Sequence, residues 1–552
     1  MKRCAALLLG LGAIVASCGG DDADSAAADT APFCPPNGAP AAPSVVEPAA
    51  GRIDVVPASL TITASPFEDP DEGAALGAVE AEIWRVKDGA PTERVWRAEI
   101  TGVEGAAPPP LTLADGAFDA GPGAALEEWT EYAVRVRYRD DQAPCNATSE
   151  WSQDVGFRTD DGSTALFDPS VIRDMYLDIP AESWDAINSE AVPPGCVPFQ
   201  RSYHTGTLRF EGQTFEGVGI KAKGGCGTSR DLGGKASFKL NLEWDDPSVD
   251  GCPEERRLLG QKHFTLNNGV QDSSATHERL GYAVYRELGI PAPRAASVRV
   301  FVNGELWGLY THVETIDRRF LARWFGSNDG MLYEGTYWCD LTPENVPPGT
   351  DDSYCLTREF SPNACSTPDA GADPLDYELL RELVEQIQAL PPGGFYPAVE
   401  AFFDYDRFLT SWAIESVISH WDSYEFSIKN NYRIYHDPTT GLWTLISTGI
   451  DQTFKDDQDP WGAEGVLAAR CVQEPACEAA FAARLAEVNE AIEQLALGPE
   501  AEAIFEQISP DVEADPRKEY DVGTFVNEHE QLQDFIENRP ERVRQHLADH
   551  GF

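Results

Sequence analysis

Asp422, Asn431 and Asp451 are the residues of this chain whose types and spacing best suit a chemical reaction. Asp422 follows a helical pattern that Asp404 can cap, Asn431 begins a short strand pattern, and Asp451 follows the next strand pattern. A carboxylate in a loop accepts the proton of a hydroxyl, and carboxylate and amide oxygens are the ligands that Mg²⁺ prefers. These residues therefore predict a site that activates a hydroxyl beside a divalent cation.

The order of these residues along the chain is the order that protein kinases use for phosphoryl transfer. There, one Asp accepts the hydroxyl proton, an Asn in the same loop holds metal, and an Asp after a hairpin holds metal again. The ordinary signatures GxGxxG, VAIK, HRD and DFG are absent from the sequence. Nine positions separate Asp422 from Asn431, where ordinary kinases use about five. The order alone is weak evidence, because an acidic protein often carries acids in loops beside strands.

Ten short stretches between about residues 215 and 455 occur in a characteristic order. They are KGGCGTSR at 223–230, KASFKL at 235–240, LNNG at 266–269, HERLGY at 277–282, GIPAPR at 289–294, VNGELWGLY at 302–310, VETIDRRFL at 313–321, LYEG at 332–335, HWD at 420–422 and NY at 431–432. Together they resemble the CotH kinase family, the spore-coat protein H kinases and their secreted relatives. The resemblance implies a two-lobed α+β protein-kinase-like domain that transfers phosphate from ATP to protein Ser or Thr with Mg²⁺ or Mn²⁺.

The resemblance also implies roles for individual residues. Asp422 would be the catalytic Asp, and Asn431 and Asp451 the metal ligands. Lys235 and Lys239 share one face of a strand pattern, and we favour Lys239 as the ATP lysine, with Glu278 as its ion-pair partner. The other expected nucleotide-binding residues are Lys223, Arg230, Lys235, Val313, Glu314 and Thr315, the last three as the hinge that meets adenine.

Two features of the motif region have alternative interpretations. The glycine turn at 224–227 either covers phosphates through its backbone N–H groups or is a plain strand turn held by Cys226. Gly449 stands where the family usually has the first of two acids, which leaves Asp451 as the one acid of that pair. The second feature favours a protein that keeps the fold for binding.

Hydrophobic periodicity predicts the elements that position these residues. Residues 43–162 show short alternating strands and resemble a fibronectin type III β-sandwich, most simply a spacer. Residues 165–552 form the kinase-like part, with a Cys-containing insertion at 336–395 and an Asn303-Gly304 hairpin turn. Helices are expected at 275–288, 404–419, 479–506 and 529–548. The fold class is therefore an all-β sandwich followed by a two-lobed α+β domain.

The N-terminus predicts export. Residues 1–17 combine two basic residues with a short apolar run, and they end at Val15-Ala-Ser-Cys18, which resembles a lipoprotein cleavage site. Cys18 would then carry the lipid, residues 18–42 would form an acidic, Pro-rich tether, and the protein would be anchored to the outer membrane or cell surface. The alternative is an ordinary signal peptide with an incidental Cys.

Cysteine usage agrees with an oxidising compartment. Without Cys4 and Cys18, ten of the twelve cysteines remain, and none forms a CxxC pair or a zinc-spaced cluster. Local disulfides are expected between Cys471 and Cys477 and among Cys339, Cys355 and Cys365, while Cys34 and Cys145 are candidates to staple the N-terminal module.

The charge balance restricts the partners. The chain has 92 Asp and Glu against 42 Lys and Arg, a formal net charge of −50. This charge argues against a nucleic-acid partner and against electrostatic binding to an anionic membrane, so a covalent lipid is the expected membrane contact. We expect a monomer that acts on a basic, Ser-rich protein substrate. The competing hypotheses are a non-catalytic surface adhesin and an envelope or spore-coat assembly protein.

Overall fold

The structure, a computed structural model, is a mixed α/β protein with several sheets. It describes residues 37–87, 89–103, 107–142, 145–197, 199, 201–242, 244, 256–325, 328, 330–347, 355–358 and 375–552. The chain divides into two compact units. One comprises the described parts of Met1–Ala50, Leu60–Ala124 and Ala133–Gly156, and the other Gly51–Ser59, Ala125–Tyr132 and the described parts of Phe157–Phe552. The signal segment 1–17, Cys18 and most of the tether lie outside the described residues.

The strands and helices are numbered along the chain. The strands are β1 (Val45–Glu47), β2 (Arg52–Val55), β3 (Thr61–Ala64), β4 (Leu76–Lys87), β5 (Ala90–Thr101), β6 (Leu111–Thr112), β7 (Gly116–Phe118), β8 (Glu131–Asp140), β9 (Val155–Thr159), β10 (Arg173–Asp178), β11 (His204–Phe210), β12 (Gln213–Lys223), β13 (Ser237–Asn241), β14 (His263–Asn267), β15 (Ala295–Val302), β16 (Glu305–Glu314), β17 (Met331–Gly335), β18 (Leu356–Arg358), β19 (Tyr432–His436) and β20 (Trp443–Ser447). The helices are α1 (Ala181–Ser189), α2 (His277–Glu287), α3 (Arg318–Phe325), α4 (Leu375–Ala389), α5 (Phe395–Val399), α6 (Tyr405–Val417), α7 (Val466–Val472), α8 (Pro475–Gln494), α9 (Leu497–Ala514) and α10 (Val522–Asp549).

The first unit is built from β-strands. Strands β1, β3 and β6 form one sheet, and β8, β4, β5 and β7 lie side by side in another. On the second sheet the guanidinium of Arg135 lies 4.9 Å from the ring centre of Trp84 and 4.8 Å from that of Trp151, and it also donates to Glu82. Such stacking holds a cation against aromatic faces. The fibronectin-like assignment of this unit stays a prediction.

The second unit contains a closed barrel of seven strands in the order β10-β11-β12-β13-β14-β16-β15. Strands β10 and β15 are parallel, and the other neighbours are antiparallel. Side chains alternate across each strand, so that Phe238 and Leu240 fill the barrel while Lys239 between them points outward. The outward face of β12, β13 and β14 is therefore where polar residues of this part gather.

A second, mainly helical core lies in the same unit. Helix α6 begins at the N-cap Asp404, whose carboxylate accepts from the Arg407 N–H at 3.3 Å, as the sequence predicts. The ring of Trp412 on this helix stacks on Phe481 of α8, with centroids 3.5 Å apart. The sheet β18-β17-β19-β20 packs into the same core. These contacts fix the end of α6, and with it the loop that carries Asp422.

Local turn and helix signals are confirmed with one exception. Asn303 and Gly304 both have positive φ, 51° and 85°, and join β15 to β16 as the expected hairpin turn. The single helix predicted over 479–506 is wrong, because the structure has α8 and α9 with a break at Ala496, whose φ is 52°. The left-handed Ala496 separates the two helices, and Pro499 lies in the first turn of α9, where proline is well tolerated.

Three disulfides join pairs of cysteines that both lie among the described residues. Cys471–Cys477 and Cys339–Cys355 confirm the local pairings, and Cys196–Cys226 joins residues that the sequence did not connect. Cys34 and Cys365 lie outside the described residues. No helix in the described part of the chain is long and apolar enough to cross a membrane.

Candidate active site

The loop that follows α6 presents Asp422. The side-chain amide of Asn430 donates to Asp422 Oδ1 at 3.3 Å, and that of Asn431 donates to Asp422 Oδ2 at 2.9 Å. Burial raises the pKa of the Asp422 carboxyl, while the charge of His420 and the two amide bonds lower it. The carboxylate is thus oriented by two adjacent asparagines, of which the sequence pattern identified one.

Asn431 and Gly449 fit against each other. Both residues have left-handed backbone, with φ of 52° and 57°. A Cβ atom at position 449 would lie 2.2 Å from Asn431 Oδ1, so the amide occupies the space that any side chain at 449 would need. The Gly449 N–H donates to the hydroxyl of Tyr282 at 3.1 Å. The glycine at position 449, where an acid was expected, therefore fits the packing of the Asn431 side chain.

Asp451 lies in a short 3₁₀ turn, Ile450–Gln452, after β20. Its carbonyl accepts from His277 Nδ1 at 3.0 Å, which ties the turn to α2. Burial raises the pKa of the Asp451 carboxyl to about 6; the charge of Lys223 opposes this shift, and the charges of Asp272 and Asp422 add to it. The structure thus brings together the three residues whose order along the chain predicted a reactive site.

Lys223 faces this acid cluster from the end of β12. Its ammonium donates to Asn267 Oδ1, and the Asn267 amide donates to Glu278 Oε1 at 2.6 Å. Burial lowers the pKa of Lys223, although the charges of Glu278 and Asp451 raise it. Burial also raises the pKa of Glu278 to about 8, with a further increase from Asp451 and a decrease from Lys223. Glu278 is therefore linked to Lys223 through Asn267.

Lys239 lies on the same outward face as Lys223 but is not paired with it, because Lys223 lies opposite Ser237 on the neighbouring strand. On the neighbouring strands Lys239 pairs with Lys221 and Thr265, and Thr265 pairs with Val313, so these residues form one cross-strand row. The Thr265 and Thr315 hydroxyls are 3.0 Å apart, which brings Thr315 to this row. The hydrogen bonds to Glu278 run through Asn267 to Lys223, and the assignment of Lys239 as the ATP lysine stays a prediction.

Three expected nucleotide-binding residues have partners of other kinds. The Lys235 ammonium forms a buried ion pair with Asp515 at 2.7 Å, and Arg230 donates to Glu519 at 2.6 and 2.7 Å. The Glu314 carboxylate pairs with two arginines, Arg294 and Arg323. The partners of Lys235 and Arg230 follow α9, 280 and 289 positions along the chain, whereas the two arginines that pair with Glu314 lie 20 positions before it and 9 after it. All three side chains are thus engaged in ion pairs within the protein.

The glycine turn at 224–227 follows directly on Lys223. Gly224 and Gly227 have φ of 110° and 82°, and Cys226 between them is bonded to Cys196. The turn therefore has both features named by its two interpretations, glycine backbone next to the lysine and a disulfide that holds it.

Sequence reasoning missed Asn267, Asn430 and Tyr337. The doublets Asn267-Asn268 and Asn430-Asn431 were a visible signal for the first two.

The oxygen donors of the cluster suit a divalent cation. Within the described ranges, no three His, Cys, Asp or Glu side chains converge in a way that would hold a metal ion by themselves. In phosphoryl-transfer sites Mg²⁺ takes one or two carboxylates from the protein and fills its shell with phosphate oxygens and water. Asp451 and Asn431 fit this smaller donor set, and a cation would relieve the repulsion by which Asp422 raises the pKa of Asp451.

Comparison with known proteins identifies similar sequences over this region. The family described as "CotH kinase protein" matches residues 208–543. Inner spore coat protein H of Bacillus subtilis is 24% identical over 310 residues, covering 53% of this chain and 81% of that protein. Invasin CotH2 of Rhizopus delemar is 26% identical over 263 residues, covering 45% of this chain and 40% of that protein. The solved proinflammatory kinase CtkA of Helicobacter pylori aligns over 66% of this chain and 98% of its own at 6% identity, with a TM-score of 0.22, too low to support an argument.

Proposed function

Because the chain belongs to the CotH kinase protein family, we propose that it is an atypical protein kinase that transfers the ATP γ-phosphate to Ser or Thr of extracytoplasmic proteins. The observation that carries this proposal is the convergence of Asp422, Asn431 and Asp451 opposite Lys223. Phosphoryl transfer needs little more from a protein than positioned positive charge for the phosphates and an acid that orients the attacking hydroxyl.

Each of these side chains has a defined task in this proposal. Asp422, held by Asn430 and Asn431, accepts the hydrogen bond of the substrate hydroxyl and takes up its proton. Lys223 meets the phosphates, and the negative charge of ATP would restore the ammonium that burial disfavours. Asp451 and Asn431 would hold Mg²⁺ or Mn²⁺, which neutralises charge on the triphosphate when bound.

The remaining proposals concern place and partners. We propose export with lipidation at Cys18, an outer-membrane or cell-surface location, a fibronectin-like spacer before the kinase-like part, and a monomeric state. The substrate proposed is a basic, Ser-rich protein, because a net charge of −50 would attract it. Relatives named as a spore coat protein and as an invasin support a surface-associated role.

A second candidate function is binding without catalysis, as a surface adhesin or an envelope or spore-coat assembly protein. The observation that favours it is Gly449, since the space of a second acid is taken by the Asn431 amide. The two candidates differ in whether ATP is bound and consumed.

The test uses the chain from residue 19 with labelled ATP, Mg²⁺ or Mn²⁺, and a set of Ser-containing acceptor proteins. We expect incorporation of label that Asp422→Asn lowers by at least about 100-fold, because the hydroxyl loses its proton acceptor. The matched control is Asp406→Asn, an exposed acid on α6 that should leave the rate unchanged. Absence of ATP binding and of transfer in the unmutated chain would overturn the kinase proposal and leave the binding function.

A further inference from the structure

Tyr337, just after β17, links the glycine turn to the Asp422 loop. Its hydroxyl accepts from the Cys226 N–H at 3.0 Å, and its own backbone N–H donates to Asn430 Oδ1 at 3.1 Å. Asn430 in turn donates to Asp422 Oδ1 at 3.3 Å. A continuous series of hydrogen bonds thus runs from the turn beside Lys223 to the carboxylate that receives the substrate proton.

The turn approaches this tyrosine closely because it lacks side chains there. A Cβ atom at Gly225 would lie 2.7 Å from the Tyr337 hydroxyl. Burial raises the pKa of that hydroxyl, and the charges of Asp422 and Asp451 raise it further. The disulfide to Cys196 restrains the same residue, Cys226. The position of the turn is therefore set by one covalent and one hydrogen-bonded contact.

We propose that Tyr337 is a positioning residue that fixes the glycine turn relative to Asp422, so that phosphates under the turn align with the hydroxyl held by that acid. This inference rests on the proposed kinase function. Tyr337 acts through its neighbours: it sets the turn through Cys226 and the acid loop through Asn430. Small displacements between phosphate and acceptor slow phosphoryl transfer strongly, because transfer depends on alignment.

The first test removes the hydroxyl alone. We expect Tyr337→Phe to lower kcat/KM for ATP about three- to tenfold, because the turn that aligns the phosphates loses a hydrogen bond, and to leave the KM for the acceptor protein unchanged. Tyr377→Phe is the matched control, because its hydroxyl also bonds a backbone group, the Leu356 carbonyl at 3.3 Å, but not in the site. An unchanged kcat/KM for ATP in Tyr337→Phe, with kinase activity present, would overturn the proposal.

The second test asks whether the two ends communicate. Asn430→Ala should lower kcat. In the double variant Tyr337→Phe/Asn430→Ala, the fold-loss of kcat/KM should be at least about threefold smaller than the product of the fold-losses of the two single variants, because residues in one hydrogen-bonded series are not independent. Multiplicative losses would contradict the linkage.

A third measurement does not depend on catalysis. Amide hydrogen exchange of the unliganded protein should be faster at 224–230 in Tyr337→Phe, and Asn430→Ala should speed exchange at 224–230 as well as at 422–431. Unchanged exchange at 224–230 in both variants would overturn the proposal. If the unmutated chain transfers no phosphate, the kinase function fails, and this exchange pattern still decides whether Tyr337 links the two loops.

Discussion

At the scale of single residues, the site depends on which lysine is connected to Glu278. Both Lys223 and Lys239 point outward from the barrel, yet the hydrogen bonds from Glu278 reach Lys223 through Asn267. Lys239 lies in the row of Thr265 and Val313. The strand pattern predicted a phosphate-binding lysine at Lys239, and the structure also places Lys223 of the neighbouring strand β12 on the outward face of the barrel.

The contributions of Lys223 and Lys239 to ATP binding can therefore be compared directly by substituting each one. We expect Lys223→Ala to lower kcat/KM for ATP about 10- to 100-fold, because a charge-assisted contact to phosphate is lost, and Lys239→Ala to lower it less. Steady-state kinetics at varied ATP concentration would measure both. A larger loss in Lys239→Ala would show that the row of Thr265 and Val313 holds the phosphates instead.

Gly449 offers a second prediction at this scale. Gly449→Ala is expected to destabilise the fold by more than the ~1–2 kcal/mol of left-handed strain alone, because its Cβ would also displace the Asn431 amide. Gly441→Ala is the matched control, since Gly441 has φ of 73° and a Cβ atom there would meet nothing within 4 Å. Urea unfolding of both variants measures the difference, and equal losses would contradict the packing of Gly449 against Asn431.

At the scale of elements, the barrel is held to the segment after α9 by a buried ion pair. Lys235 and Asp515 side chains are 3% and 2% exposed, with Nζ and Oδ2 2.7 Å apart. The same carboxylate accepts from the Leu309 N–H at 3.1 Å, where Gly308 leaves room for it. Asp515 thus joins β16, the loop before β13 and the end of α9.

Removing one partner of this pair should be strongly destabilising. Asp515→Ala is expected to lower the free energy of unfolding by about 3–5 kcal/mol, because it leaves the Lys235 ammonium buried without a counter-charge. Asp178→Ala, which breaks the exposed Arg209–Asp178 pair, is the control and should change stability little, since water screens that pair. Similar unfolding midpoints for the two variants would contradict this role of Asp515.

At the scale of the whole molecule, charge bears on the substrate. With a formal net charge of −50, the protein should attract cationic chains over distances comparable to the Debye length. The acid excess argues against nucleic acid as a partner class, and the same excess supports a basic acceptor.

The expected result is a salt-sensitive preference. A Ser peptide flanked by Lys and Arg should show a higher kcat/KM than its Asp- and Glu-flanked counterpart at low ionic strength, and the advantage should shrink as salt rises towards about 0.5 M. Phosphorylation kinetics of the two peptides at several salt concentrations measure this. A preference for the acidic peptide, unaffected by salt, would exclude electrostatic selection of the substrate.

The sequence by itself determined the family, the chemical groups and the local geometry around them. The Asp404 cap, the Asn303-Gly304 turn, and the placement of Asp422, Asn431 and Asp451 after a helix, before a strand and after a strand all follow from periodicity and turn residues, which act over a few positions. The pairing of distant side chains was decided by tertiary structure. Lys235 meets Asp515 across 280 positions, and Glu278 reaches Lys223 through Asn267. The packing of α2 and α9 against the barrel brings these groups together, and no local pattern encodes either contact.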